Sequence, residues 1–102
     1  MIDTEPTTLE VGTTAYVWAR ITDRNGEDLT SVGIELRTVA PDGTPSVWAA
    51  PADRDDDLAA AGVVRVAVLH TAVLTGYWKL QVKITDNPEL IVDTAEGGFR
   101  VI

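Results

Sequence analysis

The sequence predicts an all-β domain, an immunoglobulin-like antiparallel two-sheet sandwich of about seven strands. Three observations carry that expectation. Val and Thr together supply 26 of the 102 residues, and β-branched side chains suit the pleated strand better than the helix. Turn chemistry recurs about every ten residues, the spacing of short strands in a sandwich or barrel. Between the turns, apolar and polar residues alternate at period two, with no stretch long enough for a crossover helix.

The elements follow in order. A first strand is expected near residues 7–11, preceded by a flexible arm over residues 1–6. Residues 13–22 alternate, with Ala15, Val17, Ala19 and Ile21 on one face and Tyr16, Trp18, Arg20 and Thr22 on the other; the first set should meet the core. Asp23-Arg24-Asn25-Gly26 then reads as a turn, because glycine accepts positive φ and Asp or Asn caps its own turn. Residues 32–39 place Val32, Ile34 and Leu36 inward and Glu35 and Arg37 outward.

Pro41-Asp42-Gly43 marks the next turn, and residues 45–50 form a short strand around Val47 and Trp48. Residues 51–57 read as a solvated, self-repelling acidic loop partly neutralised by Arg54, with a single helical turn allowed over residues 55–61. Residues 63–69 put Val64, Val66 and Val68 inward and Arg65 outward. Residues 77–84 alternate most cleanly, with Trp78, Leu80, Val82 and Ile84 inward and Lys79, Gln81 and Lys83 outward. Thr75-Gly76 precedes that strand and Asp86-Asn87-Pro88 follows it. A last strand within residues 90–101 ends in Phe99 and Val101.

A chain of this length builds one core, so residues 1–102 form a single domain. There is no cysteine, which removes disulfides, thiolate metal sites and a cysteine nucleophile together. Sixteen acidic against eight basic residues give a net charge of −8, which opposes attraction to nucleic acid and anionic membranes. The first ten residues lack the basic and apolar regions of a secretory signal, and no apolar run reaches the length of a membrane-spanning helix. No cofactor motif is present.

Candidate chemistry is sparse. His70, the single histidine, titrates near neutrality, but Ser31 and Ser46 lack a nucleophile-elbow frame. It is expected to be a solvated residue at a strand end. Asp53, Asp55 and Asp57 have the spacing of hard-cation ligands. An EF-hand loop starting at Asp53, however, would need glycine at Leu58 and a bidentate glutamate at Val64. The three tryptophans divide by phase: Trp78 falls on the core face, whereas Trp18 shares the polar face with Tyr16 and Arg20. Aromatics beside arginine on an exposed face serve as interface anchors or carbohydrate platforms. Tyr16, Trp18, Arg20 and Trp48 are therefore the candidate interface residues, with no catalytic, cofactor or metal residue assigned.

Several turn and strand motifs, taken in order, resemble small immunoglobulin-like virion proteins of tailed bacteriophages. They are Ala19-Arg20-Ile21-Thr22-Asp23, Asn25-Gly26, Asp28-Leu29-Thr30, Val32-Gly33-Ile34-Glu35-Leu36, Pro41-Asp42-Gly43-Thr44, Gly76-Tyr77-Trp78-Lys79-Leu80 and Gly98-Phe99-Arg100-Val101. Part of this outline is similar to the N-terminal domain of phage baseplate upper proteins, although the sequence stops at the final strand without a fibre extension.

The resemblance implies a non-catalytic structural protein of the virion, made in the host bacterial cytoplasm. It would dock on the capsid exterior as a decoration or minor capsid protein. The implied partners are other virion proteins, the major capsid protein first, in a homo-oligomeric or multi-copy arrangement. The head-tail junction, tail or baseplate, and a carbohydrate or host-surface binding role, are the alternatives. A sandwich that starts at its own methionine and ends with its last strand is expected to stand alone.

Overall fold

A computed structural model of the protein describes residues 3–23, 26–84 and 97–102. The expected turn at Asp86-Asn87-Pro88, the first part of the last expected strand, and Arg24-Asn25 lie outside the described residues. Among the described residues there are eight strands: β1 (Asp3–Glu5), β2 (Thr8–Leu9), β3 (Thr14–Thr22), β4 (Ile34–Val39), β5 (Asp53–Asp55), β6 (Val63–Thr71), β7 (Gly76–Ile84) and β8 (Gly97–Val101). They form two four-stranded sheets, in the orders β1-β3-β6-β5 and β2-β8-β7-β4. Setting aside β2, this is the division of an immunoglobulin constant-type sandwich, so the predicted fold class is correct.

The period-two pattern decides which face each strand buries. Val17 pairs with Val68, Ala19 with Val66 and Ile21 with Val64. On the facing sheet Ile34 pairs with Ile84, Leu36 with Val82 and Trp78 with Phe99. These two inner faces, with Leu9, Leu29 and Val101, make one core. Phe99 is its largest fully buried side chain.

Three expectations change. Residues 3–5 are not an arm: they pair antiparallel with β3, Asp3 opposite Arg20 and Glu5 opposite Trp18. After the cis Glu5-Pro6 bond the chain crosses to the other sheet, where β2 pairs parallel with β8. Thr4 Oγ1 donates a hydrogen bond to the Gly98 carbonyl and ties the two sheets at that crossing.

The expected strand at 45–50 is reduced to two isolated bridges, Val39 with Pro45 and Leu36 with Ala49, so this segment lies along the β4 edge and covers it. Part of the expected acidic loop is instead the edge strand β5, with Asp53 opposite Ala67 and Asp55 opposite Arg65. A charged three-residue edge strand is a poor template for further pairing. The helical turn allowed after it is a single 3-10 turn at Ala59–Ala61.

Arg54 explains why the acidic segment is ordered. Its guanidinium donates to the carbonyls of Val32 at 2.6 Å and Leu29 at 3.0 Å, and to Asp56 Oδ1 at 2.8 Å. One arginine thus fastens the β5 segment to the β3–β4 connection, using the planar fork that lysine lacks.

Candidate functional site

The candidate residues of β3 stand on the outer face of the β1-β3-β6-β5 sheet. Antiparallel register sets their neighbours: Tyr16 opposite Leu69, Trp18 opposite Ala67, and Arg20 opposite Arg65. Tyr16 and Leu69 are 50% and 52% exposed, a cross-strand apolar pair open to solvent. Trp18 is half-buried, and the Arg65 guanidinium lies over its ring, 5.0 Å from the centroid. Arg65 also approaches Glu5 of β1 at 3.9 Å, a loose contact between exposed groups.

Two hollows flank this pair of arginines. One, of ≈ 420 Å³, is lined by Thr4, Glu5, Trp18, Arg20 and Arg65. The other, of ≈ 550 Å³, is lined by Arg20, Asp55, Asp57, Leu58, Val63 and Arg65. Arg20 and Arg65 form the ridge between them. Like charges placed directly opposite across a sheet cost stability, and each arginine has an acidic residue opposite it on its other side, Asp3 of β1 for Arg20 and Asp55 of β5 for Arg65.

Trp48 is elsewhere. It comes from the segment that covers β4, and its ring lies against the other sheet's outer face. The Arg37 guanidinium is 4.5 Å from the ring centroid and the Lys83 ammonium 4.6 Å. The structure therefore brings Tyr16, Trp18 and Arg20 together and separates Trp48 from them. Arg65, Leu69 and Glu5 complete the face. Alternation in β6 already turned Arg65 outward, but only the β3–β6 register reveals that it stands opposite Arg20.

His70 is not a solvated strand end. It is 8% exposed, on the inner face of β6, with Trp78 and Phe99 edge-on at 4.6 and 4.9 Å between ring centroids. Burial pushes its pKa down, and Nε2 has no hydrogen-bond partner among the described residues. Trp78 meets the core as expected, stacked on Phe99, with Nε1 donating to the Leu74 carbonyl at 2.9 Å.

Among the described residues no three His, Cys, Asp or Glu side chains are placed to hold a metal ion. Their carboxylates serve turns: Asp28 and Asp42 accept hydrogen bonds from Thr30 and Thr44, which lower their pKa values. Among the same residues no helix is long and apolar enough to cross a membrane.

No protein-family model matches the sequence, and no curated protein matches it. Among solved structures, the chain is similar to the filamin domain of Lin-41, with 13% identity and a TM-score of 0.54 over 96% of this chain and 85% of that one. A second similarity, to domains 4 and 5 of the S-layer protein SbsC, has 13% identity and a TM-score of 0.49, covering 100% of this chain and 51% of that one. The likeness to the filamin domain is one of fold: an immunoglobulin-like sandwich.

Proposed function

We propose that the protein is a non-catalytic docking module that assembles on a larger protein particle through the outer face of the β1-β3-β6-β5 sheet. The single observation that carries this reading is the face itself. An exposed Tyr16–Leu69 pair, a half-buried Trp18 and two opposed arginines lie side by side on one rigid sheet. Interfaces are enriched in that combination, aromatic anchors beside arginine. A partner's carboxylates would meet two guanidiniums side by side, each with the fork geometry for paired hydrogen bonds.

The particle is a tailed-phage virion, by the sequence resemblance, and the surface is the capsid exterior, with the major capsid protein as partner. In this role the domain is a decoration or minor capsid protein, and virion is its location. The test is co-sedimentation of purified protein with capsids and, separately, with tails. Binding to capsids that is lost in Tyr16→Ala/Arg20→Ala, with the far-ultraviolet circular dichroism spectrum unchanged, bears the proposal out. Binding to tails alone moves the module to the tail. Glycan binding abolished by Trp18→Ala, with no sedimentation on either particle, replaces it with a carbohydrate-binding role.

A further inference from the structure

Among the described residues, the opposite outer face is cationic, against the net charge of the chain. On β4, β7 and β8 the register turns Glu35, Arg37, Val39, Tyr77, Lys79, Gln81, Lys83, Gly98 and Arg100 outward. Four of these are cations and one is an acid, in a chain with eight basic residues and a net charge of −8. The face is also built. Arg37 Nε donates to Gln81 Oε1 at 2.6 Å, both Arg37 and Lys83 lie against Trp48, and the Tyr77 ring lies over Gly98, leaving no room for a Cβ there. Glu35 meets Lys83 at 3.5 Å, which leaves the Arg37 and Arg100 charges without an acidic partner among the described residues.

One end of the sandwich is the counterpart. Arg54 binds the β5 segment to the β3–β4 connection, so Glu27, Asp28, Asp56 and Asp57 share that end, all exposed. The sizes correspond as well. From Tyr77 to Lys83 the cationic face runs about 20 Å along β7 at the usual rise per strand residue. The molecule measures 37 × 24 × 19 Å along its principal axes, so the face is comparable in length with the two shorter dimensions.

We infer that the cationic β4-β7-β8 face is a self-association surface, and that it receives the acidic end of a second copy of this chain. Each copy carries both halves of the contact, so the contact either closes as a two-fold dimer or repeats along an array. A footprint on the order of 400 Å² per copy lies below the size of a stable free-standing interface. The contact is therefore weak and salt-sensitive in solution and gains strength when copies are held side by side. The cationic face is not the particle-docking face, and of the acidic end Asp57 alone also lines the hollow beside Arg20 and Arg65; self-association is read without any particle, so the two proposals fail separately.

Sedimentation velocity over a concentration series is the test, with circular dichroism to verify the fold of each variant. The full chain should self-associate reversibly, at least tenfold more weakly at roughly 500 mM than at roughly 50 mM NaCl, because screening collapses the attraction. Arg37→Glu/Lys83→Glu should be monomeric, as should Glu27→Lys/Asp57→Lys, and an equimolar mixture of the two variants should associate again. A chain that stays monomeric at low salt overturns the inference. So does association that survives both pairs of substitutions, or a mixture that fails to recover it. Tight binding of a single-stranded oligonucleotide, lost in Arg37→Glu/Lys83→Glu, would assign the face to nucleic acid instead.

Discussion

Arg20 on β3 and Arg65 on β6 are direct cross-strand partners on a solvent-facing sheet, two guanidiniums where a stabilising arrangement would place opposite charges. Cross-strand like-charge pairs are unfavourable by roughly 0.2–1 kcal/mol. Arg20→Glu sets opposite charges across the β3–β6 pair but like charges across the β1–β3 pair with Asp3, so the free energy of unfolding should change by about 1 kcal/mol or less. The same change should weaken particle docking. Urea denaturation and co-sedimentation together check it, and a variant that loses stability while still docking would show that the pair serves the fold.

Arg54 has the opposite role, that of a clasp. Arg54→Ala removes charge-assisted hydrogen bonds to the Leu29 and Val32 carbonyls and should destabilise the domain by roughly 1.5–3 kcal/mol in urea denaturation. Arg54→Lys should restore less than half of that, since one ammonium does not reproduce the fork geometry.

His70 makes stability depend on pH. Its folded pKa is lowered from the ordinary 6.5 by burial, so between the two values the unfolded chain binds more protons than the folded one. Stability therefore rises with pH across that window. As pH falls below about 6.5 the domain should lose stability, and the loss should level off below the folded pKa. His70→Leu keeps an apolar group against Trp78 and Phe99 and should flatten this part of the profile, measured by urea midpoints from pH 7.5 to pH 5, roughly the span of histidine titration. An unchanged slope would locate the dependence in other groups.

Much of the fold was legible because period-two alternation reports burial directly: Val17, Ile21, Ile34, Leu36, Val64, Val66, Leu80 and Val82 are all buried as their phase requires. What alternation does not carry is pairing. Nothing in residues 3–5 distinguishes a free arm from a strand, because β1 is held by hydrogen bonds to β3 rather than by an apolar pattern of its own. Likewise Asp53–Asp55 reads as loop by composition, and only its ladder with β6 and the Arg54 fork make it a strand.

The candidate site divides the same way. Tyr16, Trp18 and Arg20 were visible on one face of one strand, whereas Arg65 and Leu69 join them through register. Trp48 sits in a segment too short to show its phase. His70 ends a strand whose inner phase it shares, and its burial comes from Trp78 and Phe99 on the other sheet.

Gly62 and Gly43 offer a comparison that isolates close packing at the acidic end. Both have left-handed backbone, with φ of +86° and +90°, so alanine at either carries the steric cost of that conformation, about 1–2 kcal/mol. They differ in surroundings. A Cβ at Gly43 meets nothing within 4 Å, whereas at Gly62 it would stand 2.9 Å from the Gly26 Cα, backbone that cannot swing aside. Gly62→Ala should therefore cost more than Gly43→Ala in urea denaturation, by roughly 1–3 kcal/mol, the usual penalty for overpacking. Equal losses at the two sites would mean that the turn after Ala59–Ala61 and the β3–β4 connection yield to the added methyl despite the hydrogen bond from the Leu29 N–H to the Ala59 carbonyl.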